Sequence, residues 1–218
     1  MLQHKTSLFL GTVLLVFASC KKPDTTPPVI TLNGGNVTLF IGGTYTDQGA
    51  VAQDDRNGDL TDQMEVTNPV NPALAGTYNV HYSVSDFAGN EGTADRTVIV
   101  KNTAAAFKGK YSVKDSIWGG TVTNYFDTIN VSSTTNDRLF VNRFGNHIYG
   151  TVYFDLVSTQ TAVSVPSQNV NCGSPLSVRT FSTPANGTVS GAPYTIIFDY
   201  QEISGTTTTM ARATYIQQ

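Results

Sequence analysis

Few residues in this chain are of a type and spacing that could do chemistry. The densest group is Gln53-Asp54-Asp55-Arg56-Asn57-Gly58-Asp59, which sets carboxylates, amide oxygens and a glycine within seven positions. Ca²⁺ takes six to eight oxygen ligands and favours a sharply bent loop, so Asp54, Asp55, Asn57 and Asp59 are the candidate ligands for it. Arg56 intrudes on the spacing of an EF-hand loop, and a solvated acidic turn is the competing account. No other cofactor is expected. The histidines are His4, His81 and His147, with neither a His-x-x-x-His nor a Cys-x-x-Cys pair among them, which argues against zinc. No Gly-x-Ser-x-Gly elbow occurs. Glycoside hydrolysis needs two carboxylates across a cleft. The second half offers Asp115, Asp127, Asp137, Asp155, Asp199 and Glu202. Asp155 and Asp199 lie in strong strand patterns and could face an interior, but positions on an outer face account for them more simply. No catalytic residue is assigned, and an enzyme is not expected.

Aromatic side chains form the remaining group. Trp118 stands in Ile117-Trp118-Gly119-Gly120, a loop signal, and Tyr125, Tyr149 and Tyr153 lie on the flanking strand patterns. Exposed rings stack on the apolar faces of sugars, so these four are the candidate ligand-binding residues. Core filling is the rival account, and for the three tyrosines it is the simpler one.

The elements that must position these residues are strands. Tyr78, Val80, Tyr82 and Val84 alternate with Asn79, His81, Ser83 and Ser85, the period of a half-buried strand. Asp86 to Asn90 reads as a turn and Thr93 to Val100 as the returning strand of a hairpin. Leu74-x-Gly76-x-Tyr78 has the form of a tyrosine corner, in which a phenol hydroxyl ties a sandwich corner to its own backbone. Further short strand patterns at Pro28–Leu32, Val37–Ile41, Ala52–Thr61 and Met64–Asn68 make residues 28–101 a sandwich. Residues 102–107 read as a linker. Beyond it, residues 108–218 carry eight strand patterns, at Tyr111–Ile117, Thr121–Val131, Arg138–Phe144, Ile148–Val157, Ala162–Val170, Leu176–Ser182, Tyr194–Ile203 and Thr207–Ile216. Turn signals, Asn186-Gly187 among them, separate these runs. Sequential hairpins without a long crossover predict an up-and-down barrel. The chain is all-β.

Residues 1–19 read as a secretory leader. His4 and Lys5 precede an apolar run from Ser7 to Phe17 that is too short to span a bilayer comfortably. The ending Ala18-Ser19-Cys20 resembles a bacterial lipobox, which would make Cys20 the acylated first residue of the mature chain. Residues 20–27, rich in proline and threonine, read as an extended tether. The sequence holds 13 Lys and Arg against 16 Asp and Glu, and only Lys5 lies in the leader, so the remainder carries a formal charge of −4. That balance excludes nucleic acid as an expected partner. With Cys20 lipidated, Cys172 is the one cysteine left, and a small buried residue is the expectation for it.

The phrases Pro27-Pro28-Val29-Ile30-Thr31-Leu32-Asn33-Gly34, Gly43-Thr44-Tyr45-Thr46-Asp47, Asp59-Leu60-Thr61 and Gly76-Thr77-Tyr78, continued by the alternating run to Asp86-x-Ala88-Gly89-Asn90, resemble a bacterial immunoglobulin-like family over residues 26–101. The resemblance implies a spacer, adhesion or interaction module of a surface protein, without catalytic residues of its own. Phe144-Gly145-Asn146 and Val165-Pro166-Ser167-Gln168 loosely resemble the lipocalin-like domains that end many Bacteroidetes lipoproteins. Together these imply an outer-membrane lipoprotein, held to the membrane through Cys20 and facing the cell surface or the periplasm. The expected role is that of an accessory protein binding a glycan or a partner in a polysaccharide-uptake system, beside outer-membrane transport proteins. A structural or adhesive surface protein is the alternative. A lipocalin-like carrier is a third reading, and it requires an interior not filled by Phe154, Phe198 and their neighbours.

Overall fold

The computed structural model describes residues 22–218. Cys20 and the leader lie outside the described residues. The described chain is all-β, with two sheets in its first part and a closed barrel in its second.

The first part holds β1 (Val29–Leu32), β2 (Val37–Phe40), β3 (Ala50–Asp54), β4 (Gly58–Asp59), β5 (Glu65–Thr67), β6 (Gly76–Ser85) and β7 (Glu91–Lys101). One sheet runs β1-β3-β4, the other β2-β7-β6-β5, with β2 parallel to β7. The β6–β7 hairpin pairs continuously from Gly76 opposite Val100 to Ser85 opposite Glu91. Its alternation turns Val80, Tyr82 and Val84 inward, where they meet Ala50, Ala52, Leu60 and Val98. Asp86 organises the turn by accepting from Ala88 N at 2.9 Å, Asn90 N at 2.7 Å and Asn90 Nδ2 at 2.7 Å. The tyrosine corner is formed: Tyr78 Oη donates to Leu74 O at 2.7 Å. One charged side chain breaks the apolar pattern. Arg96 is buried opposite Val80, pairs with Asp47, and donates to the carbonyls of Asn33 and Gly49 at 2.8 Å each. Tyr82 Oη donates to the same Asp47 carboxylate at 2.6 Å. A buried charge is costly unless it is paired, and the Tyr45–Gly49 segment is folded around this guanidinium, whose Nη1 and Nη2 are engaged while Nε has no partner.

The second part holds β8 (Gly109–Ile117), β9 (Val122–Val131), β10 (Arg138–Val141), β11 (Val152–Val157), β12 (Ala162–Ser164), β13 (Gln168–Cys172), β14 (Ser177–Ser182), β15 (Gly187–Ser190), β16 (Thr195–Ser204) and β17 (Thr207–Gln217). β12 pairs with β15, and β13 with β14, in registers that differ by one residue, so β12 and β13 together, and β14 and β15 together, each form one long strand with a break. Counted that way, eight strands follow one another as hairpins, and β17 pairs back onto β8 to close the barrel. Asn186-Gly187, expected as a turn between strands, lies at the break instead. Thr183 N donates to Val165 O at 3.0 Å across it, and a Cβ on Gly187 would stand 2.2 Å from Ile197 O. The strands expected to reach Phe144 and to start at Ile148 stop at Val141 and start at Val152. Between them Phe144–Asn146 forms a 3-10 turn that drops the Phe144 ring into the barrel.

Aromatic rings fill the interior. Phe144 meets Tyr200 and Phe181 with ring centres 4.7 and 5.0 Å apart, and Phe198 meets Phe154 at 5.7 Å and Tyr215 at 6.0 Å. The space an apolar carrier would need is therefore occupied. At the end where the chain enters, residues 103–107 form a 3-10 turn whose Ala104 and Phe107 pack into the barrel, with Phe107 stacked on Tyr194 at 4.0 Å. Buried Asn102 caps this turn by accepting from Ala104 N at 2.8 Å. Its amide also donates to Ser132 O and Thr135 O at 2.8 and 2.7 Å. The same 132–137 loop holds the first part of the chain, through Ala75 N to Ser133 O at 2.7 Å and Asn136 Nδ2 to Ile41 O.

Candidate functional site

Strand parity decides which polar groups face the barrel interior. On β8 the buried positions are Tyr111, Val113 and Asp115, and on β16 they are Ile196, Phe198 and Tyr200. Asp115 thus shares a row with the core, as does Glu202, two residues past Tyr200. Asp155 and Asp199 fall on the opposite parity. Each is a cross-strand partner of an arginine on the outer face, Asp155 with Arg138 and Asp199 with Arg212, and each pair is bidentate with contacts of 2.7–2.9 Å. No acid pair for glycoside hydrolysis is built from those two.

Asp115 and Glu202 instead meet at the end of the barrel remote from the 103–107 plug. Here lie the β8–β9 and β16–β17 hairpin turns and the 142–151 loop, around a cleft of about 180 Å³ lined by Asp115, Thr123, His147, Tyr200, Glu202 and Thr209. Tyr200 Oη donates to Asp115 Oδ2 at 2.8 Å. Burial pushes the Asp115 carboxyl up to about 6, against the Tyr200 hydrogen bond, which lowers it, and with help from the nearby Glu202 charge. Glu202 is partly buried too, and burial alone would raise it. His147 Nε2 at 3.0 Å and the guanidinium of Arg179 hold it below the ordinary carboxylate range. One carboxyl is thereby biased toward keeping its proton and its neighbour toward losing it. The 142–151 loop closes over the pair because Gly145 adopts φ +59° and has no Cβ, which would stand 2.9 Å from Tyr200 Oη.

Trp118 stands at the lip of this cleft. It follows the cleft residue Ile117, its backbone N–H donates to Met210 O at 2.9 Å beside the cleft residue Thr209, and the residue is 57 % exposed. Tyr149 lies at the same end, two residues beyond His147, and is 74 % exposed. The other two aromatic candidates are not brought to it. Tyr125 points inward and is buried in the barrel core, so its ring cannot serve as a platform. Tyr153 lies on the outer face of β11, half-buried beneath the Arg138 guanidinium at 4.0 Å. The sequence offers Asp115 and Glu202 among its carboxylates, but not their convergence with His147, Arg179 and Tyr200 at the mouth. The parity of Asp115 with Tyr111 and Val113, and of Glu202 with Tyr200, is the signal that carries it.

In the acidic loop, Asp54 and Asp55 come together and Asp24 joins them from the tether, the three carboxylates offering oxygens within 4.8 Å of one another. Asn57 and Asp59 are engaged elsewhere: Asn57 Oδ1 accepts from Phe87 N at 3.2 Å and Asp59 Oδ1 from Thr61 N at 2.9 Å. Cys172 is buried, and burial raises its thiol above the ordinary value. His81 lies on an outer face, 2.9 Å from its cross-strand partner Asp95. Among the described residues no helix is long and apolar enough to cross a membrane.

No curated protein matches this chain. Among solved structures, a lipoprotein from Bacteroides thetaiotaomicron aligns with 15% identity over 88% of this chain and 100% of that one, at a TM-score of 0.36. The CBM51-2 and INT domains of ZmpB from Clostridium perfringens, in complex with GlcNAc, align with 11% identity over 87% of this chain and 44% of that one, at 0.29. The family model described as bacterial surface protein, Ig-like domain, matches residues 30–100, the span of the two small sheets. The first part of this chain is thus similar to a bacterial surface Ig-like domain over residues 30–100, and a closed eight-stranded barrel follows it.

Proposed function

We propose that this protein is a non-enzymatic lipoprotein of the cell envelope whose barrel mouth binds a glycan, as an accessory to a polysaccharide-uptake system. The observation that carries the reading is the mouth itself. A small cleft lined by a carboxyl, a carboxylate, an imidazole and a phenol, its carboxylate paired with the Arg179 guanidinium, lies at the end of the barrel that carries the half-exposed Trp118. Sugar rings are held by that combination, an aromatic face for the C–H side and paired hydrogen-bonding groups for the hydroxyls. A filled interior leaves the mouth and the outer surface for binding, which disfavours an apolar cargo. The match to a bacterial surface domain supports a position in the envelope, and the finer location, on the outer membrane through acylated Cys20, follows from the Ala-Ser-Cys ending. Outer-membrane transport proteins are the natural partners of such a protein.

The test is a glycan array probed with residues 22–218, Trp118→Ala alongside. Binding that falls about two- to tenfold or more in the variant supports the mouth as the site, since stacking on one ring contributes about 0.5–1.5 kcal/mol beyond the area it buries. Binding unchanged in the variant moves the site off the mouth. No binding across a broad array leaves the structural or adhesive reading in front.

A further inference from the structure

We propose that Asp24, Asp54 and Asp55 form a calcium site that fastens the end of the tether to the Ig-like domain. Asp54 ends β3 and is 8 % exposed. Its Oδ1 is used within the chain, accepting from Arg56 N at 3.0 Å and Asn57 N at 2.6 Å. Its Oδ2 is buried and has no hydrogen-bond partner. A buried carboxylate oxygen left without a donor is costly, and native folds rarely keep one without a reason. Around it stand the carboxylates of Asp24, whose side chain is 8 % exposed, and of Asp55, on the solvent side. Three carboxylates converge, and among the described residues the cation paired with them is Arg56, whose Nε lies 3.5 Å from Asp24 Oδ2 and whose Nη1 donates to Lys22 O at 2.9 Å. Among the described residues this guanidinium is the one cation paired with the three carboxylates, which leaves negative charge in surplus.

A single divalent ion resolves both problems, giving Asp54 Oδ2 a partner and neutralising the surplus charge. The donor set is carboxylate oxygen only, which selects a hard cation over zinc or copper. Bonds of about 2.3–2.6 Å to calcium let one ion bridge oxygens spread over this span, and its tolerance of irregular geometry suits ligands from two distant segments. Magnesium's shorter, strictly octahedral bonds suit them less. The ion would join residue 24 to residues 54 and 55, so the Ig-like domain would hold the chain that leads to the membrane at a fixed exit.

The test is titration calorimetry of CaCl₂ into residues 22–218, with thermal unfolding in calcium and in EDTA. The expected result is one site, with a dissociation constant of about 10⁻⁴–10⁻³ M in the range of extracellular modules, and a rise of several degrees in the melting temperature. Asp54→Asn and Asp55→Asn should each weaken binding tenfold or more. Asp55 is exposed, so its variant keeps the test valid even if Asp54→Asn misfolds. Arg56→Ala separates the proposal from a plain ion pair: binding retained or tightened supports the site. A less stable protein with no response to calcium overturns it, because Arg56 would then be the only counter-ion. Absence of binding to the folded wild type, or binding by both Asp variants as tight as the wild type's, also overturns it. Magnesium reproducing the whole effect at the same concentration overturns the assignment to calcium.

Discussion

At the scale of single residues, the barrel mouth is a pair of carboxyls pushed apart by their surroundings. Asp115, raised to about 6 chiefly by burial, keeps its proton to higher pH in the folded chain than in the unfolded one. The native state thus binds more protons between the ordinary carboxylate range and about pH 6, so this group makes stability fall as pH rises through that window. Glu202, held low by His147 and Arg179, acts in the opposite direction, contributing stability that is lost as acid protonates it. Asp115→Asn keeps an oxygen to accept from Tyr200 and removes the charge. At pH 7 it should stabilise the protein by up to about 3 kcal/mol, the free energy that holding this carboxyl so far above its ordinary value represents, and flatten the stability profile between about pH 4 and 6. Urea unfolding of both proteins at several pH values checks this, and a variant profile as steep as the wild type would assign the proton to another group.

At the scale of elements, the telling feature is the plug formed by residues 102–107. Asn102 accepts from Ala104 N and from Asp137 N at 3.1 Å while its amide bridges two carbonyls of the 132–137 loop, so one buried side chain ties β7, the plug and the β9–β10 turn. Asn102→Ala removes a helix cap and leaves buried carbonyls and N–H groups unpaired. The expected loss is about 2–4 kcal/mol, read from chemical unfolding, whereas Asn102→Asp should restore the acceptor half alone. Why this was not legible in the sequence is plain from its composition. Thr103-Ala104-Ala105-Ala106 is small and featureless, and only the ring of Phe107, packed against Tyr194 some ninety residues away, makes it part of the core. The β6–β7 hairpin, the Tyr78 corner and the eight-strand order were legible because they rest on local alternation and turn chemistry. Arg96 was not, since a charged residue in a strand pattern reads as exposed until Asp47, 49 positions earlier, is brought against it. The break at 183–186 misled for the same reason: Asn-Gly is a turn signal, and only the nearness of Ile197 and Phe198 shows that glycine there serves close packing.

At the scale of the whole molecule, the order of the parts gives the mouth a direction. The chain runs from the N-terminal tether through the Ig-like domain and enters the barrel at the end closed by Phe107. That same end carries the 132–137 loop bound to Ile41 and Ala75 and the 191–194 turn, while Trp118, Tyr149 and the Asp115–Glu202 cleft lie at the opposite end. If the N-terminus is anchored, the cleft opens at the barrel end opposite the one joined to the Ig-like domain. A calcium ion at Asp24 would hold the tether to that domain. A bulky probe can test the polarity directly. Thr206→Cys places a thiol on the β16–β17 turn at the mouth, and Ala192→Cys places one on the turn at the plugged end, both exposed. The buried Cys172, with its thiol raised by burial, reacts slowly with a maleimide and leaves the labelling specific. Coupling a polyethylene glycol maleimide to Thr206→Cys should abolish capture of whatever glycan the array identifies, and the same adduct on Ala192→Cys should leave capture intact. Equal inhibition at both ends, or at neither, would mean that ligand is held on the barrel wall or on the Ig-like domain, and the mouth would lose its claim to be the binding site.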